Sequence, residues 1–298
     1  MSHRPTRPRG FTLVEMLVVI GIVAVLAALL LPAVMMAVNA ARNAAMVLEV
    51  KQLGDAIEAY KKDKGDYPPN FRDPDVFLRH IRRCYPKIAP SELLIYVNTT
   101  TSPPTWNLQL DEGEALVFWL GSLYNDARYP FTGGAGTTKP SRKTYYDFNP
   151  QRFDNTDNDG YPSYRAKYAK DTCYLYIDSR SYDNPLNDLY DLGKFSTPDG
   201  SNTYATFESS TNEEHWCRPY WSNNFRQPVP ATTAINRDKV MPMNPTTFQI
   251  ICAGLDGNFG YDPTDADAKL FPGGDNYKSG DNDNITNFSR GKLADEIP

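Results

Sequence analysis

The sequence predicts an α+β protein: a long N-terminal helix packed against a mainly antiparallel C-terminal sheet, with a large middle insertion. Three observations carry this. Met16 to Val38 contains no charged residue and exceeds the roughly 20 apolar residues that carry a helix across a bilayer. Beyond it, apolar residues recur at three- or four-residue intervals up to Gly65. Near the C-terminus, Phe248, Ile250 and Cys252 alternate with Gln249, Ile251 and Ala253, and Gly254, Gly257 and Gly260 then mark turns.

The first element is a basic leader, MSHRPTRPRG, running into FTLVEMLVVIGIVAVLAALLLPAVMMAV. A secretory signal peptide also has a basic start and an apolar run, but its small-residue cleavage site follows the run. Here the small residue, Gly10, precedes it, so the apolar helix is expected to survive processing. Arg4, Arg7 and Arg9 orient the span with the N-terminus cytoplasmic and the remaining chain outside the inner membrane. Pro32 lacks an amide donor and is a point where the span can kink. A carboxylate such as Glu15 is costly within a membrane helix unless it reaches the interface, is protonated or finds a partner.

The contiguous segment RGFTLVEMLVV resembles the type IV pilin and pseudopilin family. The resemblance implies that a prepilin peptidase cuts between Gly10 and Phe11 and that Phe11 becomes an N-methylated N-terminus. It makes Glu15 an assembly residue, paired with the amine of a neighbouring subunit's Phe11 while the apolar stems pack. The implied partners are other pilin-like subunits in a homo- or hetero-filament, an inner-membrane assembly platform and the membrane itself.

The amphipathic continuation puts Val47, Val50, Leu53, Ile57 and Tyr60 on one face, with Lys51, Asp55, Glu58 and Lys62 largely elsewhere. Gly65 and Pro68-Pro69 stop the helix. A helix from Thr12 to Lys64 would reach roughly 80 Å, too long for one compact domain. The organisation expected is a leader over 1–10, a membrane and filament stem over 11–38, the soluble half of the helix and its end over 39–69, an enlarged head or inserted lobe over 70–244, and a C-terminal strand and loop over 245–298.

Of 298 residues, 41% are hydrophobic, and the formal net charge is −5, or −8 once the three leader arginines are removed. Such an acidic chain does not resemble a nucleic-acid-binding surface. In the middle region, Asp111 to Leu120 reads as a short helix with Glu112 and Glu114 at its positive end, and Cys173 to Asp178 as a strand. Trp106, Trp119, Tyr145, Tyr146, Tyr174, Tyr176, Trp216, Tyr220 and Trp221 read first as packing area, with a glycan- or protein-binding surface as the competing reading. Cys84, Cys173, Cys217 and Cys252 form no short CxxC pair. Export permits disulfides; at least one is expected, and Cys217 with Cys252 would tie the insertion to the final strand.

The C-terminal segment adds a second resemblance, to the loop of the major pseudopilin of type II secretion: GLDG at Gly254 to Gly257, then DNITNF at Asp283 to Phe288, with a longer intervening loop. That resemblance implies a structural Ca2+ held by Asp256, Asp281 and Asp283, and calcium does favour six to eight hard oxygen ligands. Asp262, Asp265, Asp267 and Asp275 are substitutes, and Asn258 or Asn282 could add neutral oxygens. A second acidic segment, Asp154 to Ser163, fails the EF-hand pattern because Ala166 stands where position twelve requires glutamate. PGGDN at Pro272 to Asn276 lacks the histidine of an HPGG-type surface-protein motif.

His80 and His215 are the histidines beyond the leader; neither lies in a zinc-hydrolase or phosphate-loop motif, and no G-x-S-x-G elbow is present. The expectation is therefore a non-enzymatic, structural pseudopilin of a type II secretion-like pseudopilus, with a single-pass anchor and a head in the periplasm. A type IV pilus or surface-fibre subunit acting in adhesion or uptake is the alternative.

Overall fold

The computed structural model describes residues 12–155, 159–170, 172–182, 190–191, 194–196, 202–204, 216–225, 240–260 and 268–298. The chain divides into two units, Met1–Arg42 and Asn43–Pro298.

Helix α1, Leu13–Lys64, is 52 residues long and runs through Pro32, where the carbonyl of Ala28 loses its i+4 donor. Its first half shows what an all-round apolar surface looks like with nothing around it: Leu13, Leu29 and Met36 are each at least 70% exposed. In the second unit the same helix buries Met46, Val50, Leu53, Ala56, Ile57 and Tyr60, while Lys51, Asp55, Glu58 and Lys62 stay in solvent. The expected stripe is therefore the one that packs. Gly65 closes the helix at φ +81°, a left-handed conformation that glycine adopts without a Cβ clash.

Three short helices follow. In α2, Pro74–Cys84, the Asp73 carboxylate accepts from the amides of Asp75 and Val76, and Pro74 takes a first-turn position that needs no donor. Helix α3 is Pro90–Tyr96. Helix α4, Glu112–Val117, opens on a reciprocal cap between Asp111 and Glu114 and continues as one π-helical turn, Phe118–Ser122. This is the helix expected from Asp111 to Leu120, with Asp111 as its cap.

The strands are β1 (Val97–Asn98), β2 (Thr105–Trp106), β3 (Phe153–Asp154), β4 (Ser163–Tyr164), β5 (Leu175–Asp178), β6 (Tyr190–Asp191), β7 (Lys194–Ser196), β8 (Asn202–Tyr204), β9 (Trp216–Cys217), β10 (Trp221–Phe225), β11 (Val240–Pro242), β12 (Phe248–Cys252), β13 (Leu270–Phe271) and β14 (Ile285–Thr286). The central sheet has the order β14-β12-β5 and is antiparallel throughout, with Ile250 opposite Tyr176 and Cys252 opposite Ile285. A second sheet, β11-β10-β13, is mixed, because β10 runs parallel to β13. Four two-stranded ribbons complete the set: β1-β2, β3-β4, β6-β9 and β7-β8.

Strand β5 lies in the middle region yet pairs with β12 across the central sheet, so this part of the insertion is built into the head. Gln249 on β12 is fully buried and acts as a peptide surrogate: its amide accepts from the Tyr220 N–H and donates to the carbonyls of Tyr220 and Met243, each at 2.9 Å. That one side chain joins the central sheet to the segment leading into β10.

The aromatic residues are mostly core. Trp119, Tyr174, Tyr176, Tyr220 and Trp221 are buried and Trp106, Tyr145 and Tyr146 half-buried, while the Trp216 side chain lies outside the described residues. Trp119 Nε1 donates to the carbonyl of Pro69 at 2.7 Å, and its ring meets Phe71, Phe77 and Phe118. The expected disulfide is not formed: Cys84, Cys173, Cys217 and Cys252 are all free thiols, with Cys252 Sγ packed 3.9 Å from Met46 Sδ instead. Asp154 and Ser163, the ends of the acidic segment, pair across β3 and β4, and Asp154 is paired with Arg165 at 2.9 Å; residues 156–158 lie outside the described residues.

One polar cluster crosses this apolar packing. Glu49 on α1 receives both guanidinium nitrogens of Arg152, at 2.6 and 2.8 Å, the Tyr174 hydroxyl at 2.5 Å and the Tyr146 hydroxyl at 3.2 Å. Burial would push this carboxyl up, but the four donated bonds and the guanidinium charge hold it below the ordinary glutamate range. The rotation of α1 about its axis is thereby tied to Tyr146, to Arg152 just before β3 and to Tyr174 just before β5.

Candidate functional site

Three places in the structure bear on function: the start of α1, the C-terminal loop, and an aromatic cleft in the middle region. Gly10 and Phe11 lie outside the described residues, as do Asp262, Asp265, Asp267 and His215.

At the start of α1, Thr12 and Glu15 form a capping box. The Thr12 N–H and hydroxyl donate to Glu15 Oε2 at 2.8 and 2.9 Å, and the Glu15 N–H donates to Thr12 Oγ1 at 3.2 Å. The sequence signal for this was present as T-L-V-E, a threonine three residues before a glutamate at the head of an apolar run. In the isolated chain the carboxylate satisfies its own helix terminus, and any intermolecular partner must draw it away.

The C-terminal loop is organised by aspartates, two of which come together. Asp283 Oδ2 accepts from the N–H groups of Leu255 and Asp256 at 2.7 and 3.1 Å, so the DNITNF segment caps the GLDG turn. Gly254, at φ +66°, is required here because a Cβ would lie 2.3 Å from the Asp283 carbonyl oxygen. Asp256 accepts from the Asn258 N–H at 2.8 Å, and burial, reinforced by the adjacent Asp283 carboxylate, pushes its carboxyl up to about 6. Asp283 Oδ1 is buried and has no hydrogen-bond partner among the described residues.

Asp281 is engaged elsewhere. It is fully buried, and its Oδ1 receives Lys269 Nζ at 2.6 Å and the Tyr220 hydroxyl at 2.6 Å, while Oδ2 accepts from the Lys278 N–H at 2.8 Å. Lys269 is itself 95% buried and also donates to the carbonyls of Gly260 and Phe259 at 2.7 and 3.2 Å. A carboxylate and two carbonyls around a positive charge are the oxygen environment that suits a hard cation, and here the lysine ammonium occupies it. No local pattern signals this, because Lys269 follows a stretch of aspartates and lies twelve residues from its partner. Among the described residues no three His, Cys, Asp or Glu side chains converge as a metal site. Of the three aspartates expected together, Asp281 is turned to Lys269, while Asp256 and Asp283 lie together at the GLDG turn.

One cluster resembles a nucleophile arrangement and lacks its chemistry. Cys84 Sγ is 3.5 Å from His80 Nε2, but that nitrogen also meets the Tyr60 hydroxyl at 2.8 Å, and His80 Nδ1 is 3.8 Å from Asp66, too long for a hydrogen bond. Burial pushes the Cys84 thiol up to about 11 and lowers the His80 pKa, so neither an activated thiolate nor an imidazolium is favoured.

The third place is a cleft of about 700 Å³ in the head, floored by the π-helical turn Phe118–Ser122. Tyr124, Phe131, Tyr146 and Phe148 are half-buried in its walls, and Arg142 and Asp147 are exposed at its edge. Gly121 makes room for Phe148, whose ring would stand 3.1 Å from a Cβ at that position.

Against known proteins, residues 6–31 match the family described as the prokaryotic N-terminal methylation motif. The match supports a type IV pilin-like family. It implies processing by a prepilin peptidase and assembly with other pilin-like subunits, and α1 is long and apolar enough to cross a membrane, as a single-pass anchor requires. No curated protein and no solved structure matches the chain. The pilin-like assignment thus rests on the N-terminal segment and on the long-helix α+β architecture.

For the head, replacing Lys269 with Met is expected to cost about 3–5 kcal/mol, because the Asp281 charge is left buried without its partner. Urea unfolding checks this, and the double variant Lys269→Met with Asp281→Asn should recover a large part of the loss.

Proposed function

We propose that this chain is a structural, non-enzymatic subunit of a membrane-derived filament, in its finer form a pseudopilin of a type II secretion-like pseudopilus with its head on the periplasmic side. The observation that carries the reading is the division of α1. From Leu13 to Val38 its large apolar side chains are exposed, whereas from Met46 to Tyr60 one stripe is buried in the head. An apolar surface of that extent requires lipid or neighbouring helices of the same kind. Glu15, near the start of that helix, is the residue placed to fix register between stems, by exchanging its capping bonds for a neighbour's N-terminal amine. The cap that Asp283 places on the GLDG turn supports the pseudopilin form.

A surface-fibre subunit acting in adhesion or uptake is the second reading, and the aromatic cleft is the observation that favours it. In either filament the stem performs the same task, and the work of extension belongs to a separate assembly machine on the inner-membrane platform.

For the cofactor, we propose that Ca2+ is taken by Asp256 and Asp283, with the unpartnered Asp283 Oδ1 as the first ligand atom. Added Ca2+ should raise the thermal unfolding midpoint of the wild type and leave that of Asp256→Asn unchanged; an equal response in both excludes the pair.

Glu15→Leu tests the assembly role. The variant is expected to reach the membrane in normal amount and to fail to enter filaments, as seen by shearing and electron microscopy. Filaments of normal number and length would remove Glu15 from assembly.

A further inference from the structure

The cleft in the head combines ring faces with polar groups that have no other task. Tyr124, Phe131, Tyr146 and Phe148 present half-exposed rings to it. At its edge, Arg142 lies over the Tyr124 ring at 5.1 Å and makes no ion pair among the described residues, and the exposed Asp147 carboxylate has no hydrogen-bond or charge partner among them. The volume of about 700 Å³ falls within the range of about 300–1,000 Å³ typical of ligand pockets. The floor is a π-helical turn, a distortion found frequently at functional sites.

The lining discriminates among ligand classes. A nucleic acid is disfavoured by a single arginine set against an acidic chain. A purely apolar ligand would make no use of Arg142 and Asp147, whose charges stay in water at the edge. A basic peptide would meet Asp147 and Asp159 and be repelled by Arg142. A ligand with apolar faces and a rim of neutral hydroxyls satisfies all the groups at once: its C–H faces lie on the rings, and its hydroxyls donate to Asp147 and accept from Arg142.

We propose that this cleft is a binding site for an oligosaccharide, with the half-exposed Phe148 ring as the stacking platform and Arg142, seated over Tyr124, with Asp147 as the hydroxyl-reading pair. The site holds whichever filament the chain enters, since none of its residues takes part in the stem. It gives a subunit of either kind a means of engaging a polysaccharide.

The test uses full-length protein in detergent and a panel of hexose, N-acetylhexosamine and uronic-acid trisaccharides, read by saturation-transfer NMR and titration calorimetry. At least one trisaccharide is expected to receive saturation at its ring C–H protons, and Arg142→Ala and Asp147→Asn are each expected to weaken its binding by about tenfold, the loss of one charge-assisted hydrogen bond. Both residues are exposed, so both variants should unfold at the wild-type temperature, and Phe148→Ala should abolish transfer. Absence of transfer to every trisaccharide, binding unchanged in the variants, or displacement of the sugar by a lysine-rich peptide at equal concentration would each overturn the proposal. These results are independent of filament formation by the Glu15 variant.

Discussion

The carboxylate of Glu49 meets Arg152, Tyr174 and Tyr146 at the point where the buried stripe of α1 reaches the strand layer, and the head is arranged around that junction. An amphipathic helix can rotate by tens of degrees and still bury much of its apolar face, so hydrophobic burial alone leaves its orientation loosely specified. A bidentate guanidinium–carboxylate pair does not tolerate such rotation, because both nitrogens must stay within hydrogen-bond distance. With α1 so fixed, Leu53, Ile57 and Tyr60 face the aromatic layer of Phe71, Trp119 and Tyr145, and Met46 faces Cys252 on the central sheet. The apolar stem has no equivalent device in the single chain, where Glu15 caps only its own helix.

Several buried carboxylates of the head are paired with its own cations, while Glu92 is satisfied by the amides of Phe131 and Thr132 and the Thr132 hydroxyl. Glu49 has Arg152, Glu112 has Arg72 at 2.7 Å, Asp178 has Arg180 at 2.7 Å and Asp281 has Lys269. Asp256 and Asp283 face each other with no ion pair among the described residues, and burial, with the neighbouring carboxylate, pushes the Asp256 carboxyl up to about 6. The lysine-filled part of the loop carries its own counter-charge, whereas the turn at GLDG is the part on which the proposed calcium would act.

Much of this was legible in the sequence where a single element carries the signal. The 3.6-residue periodicity from Val47 to Tyr60, the glycine stop at 65, the acidic cap of α4 and the alternation in β12 depend on local order, and each appears close to where it was expected. What could not be read depends on partners distant in the chain. Arg152 and Glu49 are 103 residues apart, and nothing local distinguishes Lys269 from a solvated lysine. The three aspartates share a loop in sequence, but Asp281 faces the Lys269 ammonium while Asp283 faces the GLDG turn. The cleft escaped for the same reason: its rings come from α4's π turn, the segment around 124–131 and the segment 142–148, and scattered aromatics read from sequence as core. The free thiols show the limit of counting, since an even number of cysteines permits pairing and packing decides it.

The central claim is that the apolar helix is retained as a processed stem, and intact-mass analysis with N-terminal peptide sequencing of membrane-extracted protein tests it most directly. The account predicts a chain that begins at Phe11 and carries one methyl group on its N-terminal amine. A chain that retains Met1 to Gly10, or one cut beyond Val38 so that the stem is lost, would contradict it.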